Sequence, residues 1–132
     1  MDDGELLWLF NTAKDMNSIV EIGSWKGRST HVLLSGCKGN VFAIDHFLGS
    51  VAERESNHAE AQIKDIYKEF MENVGNFRNL QVLKMDNVEA VGRFENNSVD
   101  MIFIDAGHTY EEVLADIKWW LPKAKKLFAG MI

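Results

Sequence analysis

Four short clusters in this 132-residue chain combine chemically useful side chains with backbone freedom. The first is Glu21-Ile22-Gly23-Ser24-Trp25-Lys26-Gly27, the second Asp45-His46-Phe47, the third Met85-Asp86-Asn87, and the fourth Asp105-Ala106-Gly107-His108-Thr109. Each follows an apolar run and each holds an acidic residue. Unpaired carboxylates are costly to bury, so such a series implies solvent, hydrogen-bond donors, cations or a hydroxyl-rich ligand nearby. Gly23 and Gly27 let the chain turn sharply and approach a ligand closely. A helix starting behind them offers free backbone N–H groups to a carboxylate or phosphate. Asp45, 22 positions after Gly23, is placed to accept hydrogen bonds from both hydroxyls of a ribose. Asp86 and Asn87 form a donor–acceptor pair suited to an adenine edge, and equally suited to capping a helix that starts at Val88. His108, close after Asp105, is where a general base would be useful.

These clusters need a scaffold that brings the ends of apolar runs together. The runs at Ser18–Ile22, Asn40–Asp45, Leu80–Met85, Val99–Asp105 and Leu127–Ile132 read as strands. Between them, helical spacing covers Arg28–Ser35, Asn57–Val74, Val88–Phe94 and Tyr110–Leu121, with a further helix at Glu5–Lys14 before the first strand. His46–Ser56 reads as a loop. Strict strand–helix alternation predicts an α/β fold: a doubly wound, Rossmann-like parallel sheet of five strands with helices on both faces. In such a sheet the ligand sits beyond the carboxyl ends of the strands, where strand order reverses, and all four clusters fall there.

Composition narrows the class. The length suits one domain, 1–132. Hydrophobic residues make up 46% and charged residues 26%, enough for a packed core. A net charge of −6 argues against nucleic acid as a partner and favours a small-molecule substrate. Cys37 is the single cysteine, so the chain forms no internal disulfide, which fits a reducing cytoplasm. No apolar run reaches membrane-spanning length, and the acidic start lacks the features of a signal peptide.

The motifs together resemble one family. Val20-Glu21-Ile22-Gly23-Ser24-Trp25-Lys26-Gly27-Arg28-Ser29-Thr30 is similar to motif I of class I S-adenosylmethionine-dependent methyltransferases, in the bacterial methyltransferase-domain form that opens Glu-Ile-Gly-Ser. Ala43 to Phe47 with Gly49-Ser50, and Asp100 to Glu111 followed by Asp116 to Pro122, resemble further segments of that family. The resemblance implies that Glu21, Gly23 and Ser24 line the methionine end of S-adenosylmethionine, with Trp25, Gly27 and Ser29 in the same cofactor-binding turn. It implies that Asp45 binds the ribose hydroxyls, with His46 and Phe47 beside the adenosine, and that Asp86 and Asn87 contact adenine. Asp105 and Ala106 complete the cofactor set. Asp105 and His108 are the implied catalytic pair, and Asp105 is also the position at which related enzymes hold Mg²⁺.

The chain departs from the family at Lys126-Leu127-Phe128-Ala129-Gly130, where a Lys-Pro-Gly-Gly turn is usual. The family continues past this point through two further strands, so the expectation is a fold lacking its last strands and a homodimer formed through the exposed sheet edge. Two other readings stay open: a nicotinamide-dependent oxidoreductase, which would want the absent Gly-x-Gly-x-x-Gly turn, and a non-catalytic cofactor-binding fragment.

Overall fold

The computed structural model describes residues 2–48, 59–106 and 109–131, with the side chains of 59–65, 106 and 131 left outside the description. The elements run α1 (Asp3–Ala13), β1 (Ser18–Ile22), α2 (Arg28–Gly36), β2 (Asn40–Ile44), α3 (Ala59–Val74), β3 (Leu80–Leu83), α4 (Asn87–Ala90), β4 (Val99–Ala106), α5 (Tyr110–Trp120) and β5 (Ala124–Met131). All five strands are parallel, in the order β3-β2-β1-β4-β5. Strand order therefore reverses between β1 and β4. This is the expected Rossmann-like architecture.

The two-residue period of the strands sorts their side chains into two cores. Ile19, Val41, Ala43, Met101 and Phe103 face one layer, where they meet Leu9 and Ala13 of α1, Leu33 and Leu34 of α2, and Phe70 and Val74 of α3. Val20, Ile22, Ile44, Ile102 and Ile104 face the other, against Ala90, Val113 and Trp120. Burial on both faces explains why β4 reads as an almost unbroken apolar run. Trp119 and Trp120 divide as helical geometry requires, one 56% exposed and the other 0%.

Local signals set the helix ends. Asp2 and Glu5 form a reciprocal capping box at the start of α1. Thr109 caps α5 by accepting from the Glu112 N–H.

Most described element ends lie within two residues of the sequence reading, and two differ by more. The Val88–Phe94 helix is a single turn, α4, running into a 3₁₀ turn at Val91–Arg93. β5 begins at Ala124 and not at Leu127. Lys125 and Lys126 hid its start, because their exposed charges broke the apolar pattern; the Lys125 ammonium lies 3.4 Å from the Asp100 carboxylate. Asp100 also accepts the Asn17 N–H at 2.8 Å, and that bond, with the lysine, holds its carboxyl below the usual range. Residues 49–56 of the expected loop and the first two residues of the expected Asn57–Val74 helix lie outside the described residues. No helix among the described residues is long and apolar enough to cross a membrane.

Phe70 is fully buried and touches both the core and the β1–α2 turn, through Phe47 and the backbone at Gly27. Phe70→Ala should cost about 3–5 kcal/mol, read as a lower urea midpoint with an unchanged slope of unfolding.

Candidate functional site

The tips of β1 and β2 are adjacent, because Glu21 pairs with Ala43 and Ile22 with Ile44. The Gly23 N–H continues this ladder by donating to the Ile44 carbonyl at 2.9 Å. Gly23 and Gly27 both adopt left-handed backbone, φ 87° and 91°. At Gly23 a Cβ would stand 2.6 Å from the Asp105 carbonyl oxygen, so the turn lies directly against the tip of β4. At Gly27 a Cβ would meet the Phe70 ring at 3.1 Å. The glycine spacing noted in the sequence therefore serves close packing on two sides.

Asp45 joins the two turns. One carboxylate oxygen accepts the Trp25 N–H at 2.8 Å, and the other accepts the Phe47 N–H at 2.8 Å. Each oxygen keeps a second lone pair, so the carboxylate retains capacity for two further donors. The first bond fixes Trp25 at φ 49°, a left-handed conformation uncommon for a bulky residue. The Trp25 ring is 50% exposed, with the Lys26 ammonium 4.8 Å from its centre. α3 holds the turn from outside: Asn73 donates to the Lys26 carbonyl at 2.8 Å, and Glu69 lies 3.5 Å from the Lys26 ammonium.

Glu21 is 0% exposed. Strand parity directs it, like Ile19, beneath the α2 layer. Its carboxylate accepts the Ser29 hydroxyl at 2.5 Å on one oxygen and the Thr30 hydroxyl on the other. Burial raises its pKa from 4.5 to about 7; the Ser29, Thr30 and Ser24 hydroxyls oppose that rise, and the Asp105 charge adds to it. Ser24 Oγ is close enough to act on this carboxyl, yet makes no hydrogen bond of good geometry with any described group and is buried.

His46 accepts the Leu48 N–H on Nδ1 at 2.9 Å, which places the ring proton on Nε2, 3.9 Å from Asp86. Asp86 is exposed at the N-cap of α4 and makes no side-chain cap.

Three of the residues that the resemblance assigned to the cofactor have protein partners in this structure. Phe47 is 1% exposed; its positive φ turns the ring inward onto Tyr67 and Phe70, away from the rim. Asn87 donates to the Asp116 carboxylate at 2.9 Å and ties α4 to α5. Ser29 is buried and spends its hydroxyl on Glu21. Among the described residues no group of three or more His, Cys, Asp or Glu gathers. His108 and the Ala106 side chain lie outside the described residues. A separate groove of about 530 Å³, lined by Phe42, Leu83, Arg93, Phe94, Glu95 and Val99 among others, contains neither glycine turn nor any of the rim carboxylates.

The family described as "Methyltransferase domain" matches residues 20–127. An uncharacterized protein, y4gI, of Sinorhizobium fredii is 29% identical over 123 residues, covering 89% of this chain and 13% of that protein. The cofactor-bound crystal structure of Rv0187 from MTB superposes with a TM-score of 0.70 at 18% identity, covering 98% of this chain and 56% of that one. A putative O-methyltransferase from Klebsiella pneumoniae gives 0.67 at 17% identity, covering 95% and 52%. This chain thus spans a small part of y4gI and little more than half of either structure.

Because folding lifts the Glu21 pKa above its unfolded value, the folded state holds a proton that the unfolded chain releases. Stability from this group is intact below pH 4.5 and is lost as pH rises through about 7. The gap corresponds to about 3 kcal/mol. Glu21→Gln lacks this titration, so its stability relative to wild type should improve by that order between pH 4.5 and 8. Parallel stability curves for the two proteins in urea titrations across that range would refute it.

Proposed function

The chain belongs to the methyltransferase-domain family, and we propose that it holds S-adenosylmethionine across the tips of β1 and β2 for methyl transfer to a small-molecule oxygen or nitrogen. The family implies that cofactor, which when bound supplies an electrophilic methyl group on a sulfonium sulfur.

The observation that carries this reading is the Asp45 carboxylate. It is locked between the Trp25 and Phe47 N–H groups at the tip of β2, next to β1 where the strand order reverses, and retains acceptor capacity for a ribose diol. The residues around it suit the rest of the molecule. α2 begins at a glycine with no side-chain cap, leaving its first-turn N–H groups to an incoming carboxylate. Ser24 Oγ is a buried hydroxyl that makes no well-formed hydrogen bond among the described residues. Trp25, His46 and Asp86 border the adenosine side, and Gly23 gives the backbone its close approach. Asp105, whose backbone carbonyl at the tip of β4 lies against Gly23, is the residue we propose takes a proton from the acceptor, with His108 beside it in sequence. The protein's share of the work is then chiefly positioning for an in-line displacement.

A net charge of −6 supports a small acceptor over nucleic acid. The Gly-x-x-x-Gly turn supports a nucleoside sulfonium over a nicotinamide dinucleotide, whose pyrophosphate wants the tighter glycine spacing. β5 is the outer strand of the described sheet, and homodimerisation through it is part of this proposal; a monodisperse monomer in light scattering at high concentration would overturn it.

Calorimetry with S-adenosylhomocysteine checks the assignment. The wild-type chain should bind it and ignore NAD, and Asp45→Ala should weaken binding by about 1.5–3 kcal/mol. Equal affinity in the variant would remove Asp45 from the site.

A further inference from the structure

We propose that Glu21 is a positioning residue that never touches the cofactor: it acts through Ser29 and Thr30 to fix the first turn of α2 and to keep that turn's N–H groups open. The inference rests on the cofactor reading above and adds a role that the resemblance does not imply, since the resemblance puts Glu21 in contact with the methionine end.

The geometry leaves Glu21 little freedom to do anything else. It occupies a core position of β1, flanked in register by Ala43 and Phe103, with no exposed surface. Both carboxylate oxygens are engaged by hydroxyls from consecutive residues of the neighbouring helix.

The two hydroxyls explain what the arrangement achieves. Ser and Thr in a first helical turn readily bond to nearby backbone groups. Here both are drawn inward by the carboxylate. The N-cap is Gly27, which has no side chain to offer, and no side-chain cap is formed. The start of α2 therefore takes no cap from its own N-cap residue, and its orientation is fixed from below. An uncapped, rigid first turn is what an external anion requires. A buried carboxylate is costly to maintain, and its position directly beneath the candidate site, beside the buried Ser24 hydroxyl and the Asp105 charge, links that cost to the site.

A positioning role and a direct charge contact give opposite results for conservative replacement. Glu21→Gln keeps an acceptor for one hydroxyl and a donor for the other, while removing the charge. For a positioning residue its S-adenosylhomocysteine Kd should stay within about threefold of wild type, whereas Glu21→Ala and the Ser29→Ala/Thr30→Val pair should each weaken binding tenfold or more. Adding Glu21→Ala to that pair should weaken binding little further, because the three groups act as one unit. Amide hydrogen exchange at residues 28–31 should quicken in Glu21→Ala and in the Ser29/Thr30 pair, and stay near wild type in Glu21→Gln. The inference is overturned if Glu21→Gln binds as poorly as Glu21→Ala while the Ser29/Thr30 pair binds normally, or if exchange at 28–31 is unchanged in the pair. Should Glu21→Ala fail to fold, Glu21→Gln and the Ser29/Thr30 pair decide the matter alone. A wild-type chain that does not bind S-adenosylhomocysteine would overturn the cofactor reading instead, with the exchange experiment still judging the strut.

Discussion

A carboxylate cut off from water beneath the start of a helix is tolerable only if its surroundings supply the hydrogen bonds that water would have given. Glu21 meets that condition through Ser29 and Thr30, and much of the local structure follows. The helix must begin where its first turn overlies β1, which demands a reversal within the few residues from Gly23 to Gly27. That reversal requires left-handed backbone at both glycines and at Trp25. Asp45 holds the strained tryptophan in place from the neighbouring strand. The dependence runs one way: the buried Glu21 carboxyl group ties down the helix start, the helix start sets the turn, and the turn sets where the proposed ligand lies.

The sheet and its layers were legible because apolar runs and helical stretches alternate without interruption, and because both faces of the sheet are buried. β5 was read three residues short because a charged pair at an edge looks like a loop to any pattern based on hydrophobicity. The juxtaposition of Gly23 with Asp45 was also legible, since both follow strands that the alternation makes neighbours. The orientation of individual side chains was not. Phe47 follows a strand end, as a rim residue should, yet a left-handed backbone angle sends its ring into the core. Asn87 has a partner 29 residues away on α5, which spacing cannot reveal. The burial of Glu21 could have been foreseen from the two-residue period of β1, which places it on the face of Ile19; the motif drew attention to the ligand and away from that parity.

Asp45 and Glu21 show two ways of using an acid at a strand tip. Asp45 is partly exposed, anchored by backbone donors that orient it without exhausting it. Glu21 is enclosed and its two oxygens are already committed. The environments differ accordingly: under the proposed reading one acid contacts the ligand and the other supports the turn.

Gly27 packs on the side chains of Phe70 and Val74, so the entrance to α2 rests on the hydrophobic core with no intervening layer. If α2 receives the cofactor as proposed, tightness of ligand capture and tightness of core packing share the same atoms. Any lineage of variants that reshapes the interior around α3, even by volume-conserving exchanges far from the rim, would drift in ligand affinity as a by-product, and selection for one property would leave its mark on the other.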